Sequence, residues 1–159
     1  MTVQALPRVE LSPELTGGDF EAALAPKVRP ATSGPRTLVA SSGAIPAALA
    51  RAAADQEIDA LVLIAPDDIG TPPDGLPEDV FALVGSRDPE RLARLAALHR
   101  ALPEAMIALV HGAVFDPASE RPAIAARAIA DFAGRRQACV VSRYDARVES
   151  APFLQEPNS

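Results

Sequence analysis

Short apolar runs alternate with stretches of alanine and leucine at helical spacing from about residue 36 onward. Thr37-Leu38-Val39-Ala40 reads as a strand, and Ala44 to Ala54 as the helix after it. Alanine and leucine are strong helix formers, and Pro46 falls in the first turn, where a missing N–H costs little. Ala60 to Ala65 is apolar at every position, the pattern of a strand covered on both faces. A loop rich in Pro, Gly and Asp spans Pro66 to Pro77, and Val80 to Val84 gives the next strand, ending at Gly85. Leu63 and Val84 are therefore expected to be fully buried.

Asp88-Pro89-Glu90 has the form of a helix start, an acid at the cap and proline in the first turn. Leu92, Leu95, Ala96, Leu98 and Leu102 continue it at helical spacing. Met106 to Val110 is a further strand, and Ser119-Glu120-Arg121-Pro122 begins a last helix. Ile124, Ala128, Ile129 and Phe132 share one face of that helix, and Gly134 closes it. Val3 to Leu11 could hold a short strand, Phe20 to Leu24 a helical turn, and Cys139 to Ser142 an edge strand. Such alternation predicts an α/β fold, doubly wound around a mainly parallel sheet of about four or five strands. Residues 1–145 form a single domain on this reading, and 146–159 a disordered tail.

In open parallel sheets, ligands bind beyond the carboxyl ends of the strands. Three loops there carry polar groups. Ser41-Ser42-Gly43 lies between a strand and a helix, with alanine before and glycine after the serines. It fits either a nucleophile elbow, with helix N–H groups aimed at an oxyanion, or a tight turn with an N-cap. Asp88 could orient an imidazole or simply cap its helix. His111 could act as a general base or be a solvated strand-end residue. His99 falls inside a helix and reads as a surface residue. The order Ser, Asp, His is that of the α/β-hydrolase triad.

Composition narrows the field. The net charge of −6 disfavours nucleic acid, and no basic stripe offsets it. With 4% aromatics and no Trp, the core is expected to be Ala, Leu, Val and Ile, and 16 prolines predict firm turns. The single cysteine, Cys139, cannot form an internal disulfide and reads as a buried thiol. With no signal peptide and no run of 18 apolar residues, a cytoplasmic location away from membranes is the default expectation. No Gly-x-Gly-x-x-Gly or Walker-type loop follows a strand, which counts against a nucleotide- or phosphate-binding domain. No metal and no cofactor is expected.

Four segments fall in a familiar order: Leu6 to Glu10, Leu38 to Ala44, Leu63 to Asp68, and Ser86 to Pro89. With the closing helix around Glu120-Arg121-Pro122 and Ala128 to Phe132, they resemble the small, lid-less serine hydrolases of the retinoblastoma-binding-protein type and their bacterial relatives. The resemblance covers about residues 5 to 134. It implies a lid-less α/β-hydrolase fold hydrolysing carboxylic esters or similar acyl groups. Ser42 would be the nucleophile (Ser41 in the alternative register), Asp88 the triad acid, and the N–H of Gly43 an oxyanion donor. The family's histidine column corresponds to Phe115, and His111 lies about four residues earlier. The family also begins with a further strand and a Gly-Trp-type loop before the point where this chain starts.

The resemblance thus implies a truncated, catalytically degenerate domain that binds a small acyl or ester ligand, or a partner, in the former cleft. The alternative is an active esterase using Ser42, Asp88 and a displaced His111. Loss of the first strand would leave an open sheet position for a homodimer or a partner chain.

Overall fold

The computed structural model describes residues 5–135. The proposed strand at Cys139–Ser142, the thiol of Cys139 and the tail from 146 lie outside the described residues. Six strands form one sheet: β1 (Arg8–Leu11), β2 (Arg29–Pro30), β3 (Arg36–Ser41), β4 (Ile58–Ile64), β5 (Asp79–Gly85) and β6 (Met106–Val110). Their order is β2-β1-β3-β4-β5-β6, and every pairing is parallel. This is one strand more than expected, because Arg29-Pro30 carries no apolar signal and is held only by pairing. Val9 pairs with both Pro30 and Thr37, so β1 lies inside the sheet rather than at an open edge.

The helices are α1 (Asp19–Leu24), α2 (Ile45–Ala54), α3 (Pro89–Ala93), α4 (Leu95–Ala101), α5 (Pro117–Glu120) and α6 (Pro122–Arg135). The stretch expected as one helix from Asp88 to Leu102 breaks at Arg94 (φ −104°, ψ 5°). The closing helix begins at Pro122, after the separate short turn of α5.

Alternation along the strands sorts their side chains into two layers. Val9, Val39, Val62, Phe81, Leu83 and Val110 face α1 and α6, where Phe20, Ile129 and Phe132 meet them. Leu38, Ala40, Leu61, Leu63, Val84 and Leu109 face α2 and α4. Leu63 and Val84 are fully buried, as their runs predict. The core is not purely aliphatic. Phe81 and Phe132 are its largest fully buried side chains, stacked with centroids 5.1 Å apart. No helix connects β4 to β5. Instead Ile69 and Leu76 of the intervening loop pack against the second layer. Among the described residues no helix is long and apolar enough to cross a membrane.

On the α2 side, β1 places Glu10 beside Arg36. Arg36 is 2% exposed, and its Nε donates to Glu10 at 2.8 Å and its Nη2 to Asp55 at 3.1 Å. Arg51 of α2 also binds Glu10, at 2.7 Å. This second guanidinium, ahead of Arg36, holds the Glu10 carboxyl below its ordinary value despite partial burial.

Candidate functional site

The strand order reverses direction between β1 and β3, the place where open parallel sheets form a ligand crevice. Ser41 ends β3, and Ser42 opens a 3-10 turn, Ser42–Ala44, that leads into α2. Ser42 has φ +38°, a left-handed backbone that L-residues rarely adopt and that costs about 1–3 kcal/mol. A strained serine at a sharp strand-to-helix turn is the geometry of a nucleophile elbow. The amide of Ile45 donates back to the Ser42 carbonyl, and no side chain caps α2. Crowding does not explain Gly43, because a Cβ there would meet nothing within 4 Å.

Ser41 is differently engaged. It is 7% exposed, and its N–H and Oγ donate to Glu14 Oε2 at 3.1 and 3.2 Å. Ser12 Oγ donates to the same oxygen, while the Ser12 N–H donates to Val39 O at 2.9 Å. The loop after β1 is thereby stitched to the end of β3. Burial works to raise the Glu14 carboxyl, but the hydrogen bonds led by Ser12 outweigh it and hold it low. Glu14 is therefore a fixed negative acceptor beside the elbow. No local pattern marked it, since its partner lies 27 positions away.

Asp88 follows β5 and is 2% exposed. It caps α3: Oδ1 accepts from the Arg91 N–H at 3.1 Å, and Oδ2 from Arg91 Nη1 at 2.9 Å. Arg91 also donates through Nε to Ala65 O and through Nη2 to Asp67, both at 2.9 Å. The guanidinium ties the ends of β4 and β5 together. The spacing of Asp88 and Arg91, one helical turn apart, was the available signal for this pair.

His111 follows β6 directly and is exposed, as is His99 on α4. Its loop is bound to the loop after β5. Gly112 N–H donates to Ser86 Oγ at 2.8 Å, and Arg87 N–H to Ala113 O at 2.9 Å. A Cβ at Gly85 would lie 2.3 Å from that same Ala113 oxygen, so only glycine permits the approach. Farther along, Glu120 accepts the N–H groups of Val114, Phe115 and Asp116 at 2.7–2.8 Å. The N–H groups of Val114 and Asp116, foremost, keep its carboxyl below the ordinary value. Phe115, in the column expected for histidine, is 64% exposed.

Ser42, Asp88 and His111 thus share the carboxyl edge of the sheet, on β3, β5 and β6. At about 4.8 Å per strand, the end of β3 lies roughly 10 Å from that of β5 and roughly 14 Å from that of β6. Among the described residues no group of three or more His, Cys, Asp or Glu side chains is placed to hold a metal ion. No family model matches the sequence, and no curated protein or solved structure compared with it does.

Proposed function

We propose that this chain is a catalytically degenerate domain of serine-hydrolase type, with a retained elbow at Ser42 and no working proton relay. Its role is then to bind a small acyl or ester ligand, or a protein partner, in the cleft above that elbow. The observation that carries the reading is the commitment of Asp88. Its buried carboxylate is bonded through both oxygens to Arg91. A triad acid has to hold an imidazole N–H, because that bond fixes the tautomer and stabilises the imidazolium. The neighbourhood of the elbow adds to this. The loop after β1 turns the Glu14 carboxylate toward Ser41, placing a negative charge beside a serine whose acylation would itself build up negative charge.

The test is exposure of the full chain to a fluorophosphonate, read by intact mass, alongside hydrolysis of short-chain nitrophenyl esters. The expected result is no adduct and hydrolysis at background. One observation favours an active esterase instead, the strained backbone of Ser42. In that case Ser42 attacks the acyl carbonyl, His111 takes its proton, Asp88 orients the ring, and the Gly43 N–H meets the oxyanion. Stoichiometric labelling abolished by both Ser42→Ala and His111→Ala would establish the esterase and overturn the degenerate reading.

A further inference from the structure

The connection from β4 to β5 runs over α3 and α4 and leaves a cleft of about 510 Å³. That size is typical of small-molecule sites, which span about 300–1,000 Å³. Its walls are of two kinds. Val84, Leu95, Leu98 and Ile69 supply apolar surface, while Arg91, Arg94 and Arg100 bring three guanidiniums to one cleft of an acidic chain.

The arginines are not equivalent. Arg91 is 12% exposed and fixed by Asp88, the Ala65 carbonyl and Asp67. Arg94 sits at the break between α3 and α4, 50% exposed, and reaches Asp67 only at 3.9 Å. Arg100 is exposed at the far end of α4. Asp67 is itself 56% exposed and lies between Arg91 and Arg94, so a carboxylate of the chain already occupies the space between two guanidiniums. Asp68 also lines the cleft, its Oδ1 accepting the Gly70 N–H at 2.9 Å.

We infer that this cleft binds a small amphipathic carboxylate, its headgroup at Arg94 in competition with Asp67 and its apolar body along Leu95 and Leu98. A planar carboxylate suits a guanidinium fork, and Asp67 Oδ1, bonded to Arg91 Nη2 at 2.9 Å, already brings a carboxylate oxygen within 3.9 Å of Arg94 Nη1. An ammonium headgroup would meet a lining whose three arginines outnumber its two aspartates, Asp67 and Asp68. A bare phosphate would leave the apolar wall uncovered. The inference stands apart from the role of Ser42, because neither Ser42 nor His111 lines this cleft. Fluorophosphonate labelling and ligand binding therefore succeed or fail separately.

The test is an NMR titration of the isotope-labelled full chain with octanoate, octylammonium and inorganic phosphate in parallel. Octanoate should give saturable shifts at Ile69, Leu95 and Leu98, with weaker binding of the other two. Arg94→Gln should weaken octanoate about tenfold, the usual effect of losing one charged hydrogen bond. Asp67→Asn should tighten it several-fold by removing the internal competitor. Arg127→Gln, on α6 across the sheet, controls for net charge and should change nothing. Equal binding of octylammonium or phosphate, an unchanged affinity in Arg94→Gln, or no tightening in Asp67→Asn would each overturn the inference.

Discussion

The turn after β3 and the paired loops after β5 and β6 lie along one edge of one sheet, yet they are held in different ways. At Ser42 the backbone is strained and no side chain caps the helix that follows. After β5 and β6, Asp88 caps its helix and holds Arg91, Ser86 accepts from Gly112, and Glu120 accepts three backbone N–H groups. Strain at an element end persists only where the surrounding fold imposes it. Loops held by several such bonds resist displacement, since each movement gives up more than one of them. A relay assembled from this edge would need the β5 and β6 loops to bring an acid and a base to the serine. Those two loops are tied to each other, through Gly112 to Ser86 and Arg87 to Ala113.

The contrast can be broken most strongly at Gly85. Gly85→Ala drives a methyl into the Ala113 carbonyl, and the backbone cannot yield without parting the two loops. We expect a loss of about 3 kcal/mol in chemical denaturation. A loss under about 1 kcal/mol would mean that the loops adapt readily. Asp88→Ala should cost about 2 kcal/mol, from a lost cap together with a lost partner for the largely buried Arg91. Ester hydrolysis should stay at background in that variant.

Ser42→Gly sharpens the comparison in the other direction. Glycine tolerates positive φ, so this variant should gain about 1 kcal/mol, read as a higher denaturation midpoint. A loss of stability would show that the Ser42 side chain makes bonds outweighing the strain. The smallest effect concerns acid. The Glu120 carboxyl sits below its ordinary value of 4.5 in the folded chain. Its contribution is therefore complete above pH 4.5 and is lost as pH falls through its lower folded value. Glu120→Gln should flatten the fall in urea midpoint between about pH 5 and pH 3.

The sequence was most legible where burial on both faces left almost no polar residue. The runs at Thr37–Ala40, Ala60–Ala65 and Val80–Val84 appear as β3, β4 and β5 with their ends moved by two residues at most. The strand at Arg29-Pro30 escaped because parallel pairing, not apolar pattern, defines it. The break at Arg94 escaped because leucine and alanine spacing continues across it unchanged. Ser42 stood out because a strand, a serine, a glycine and a helix follow in direct succession. The commitments of Ser41 to Glu14 and of the β6 loop to Ser86 did not, since they join residues 26 or 27 positions apart. For Asp88 both readings, cap and triad acid, were open from the sequence, and the structure shows the cap through its bond to the Arg91 N–H.

The two rims of the sheet differ in a way that bears on assembly. Among the described residues the sheet ends at β2 on one side and β6 on the other. In β2 the amides of Arg29 and Ala31 donate inward to Pro7 and Val9, so the residue turned outward is Pro30, which has no N–H to offer. A strand arriving there would find a missing rung at once. The rim at β6 carries no proline. Among the described residues the sheet thus offers an uninterrupted edge ladder at β6 and an interrupted one at β2. Replacing Pro30 would restore the missing amide and complete the ladder that this rim presents.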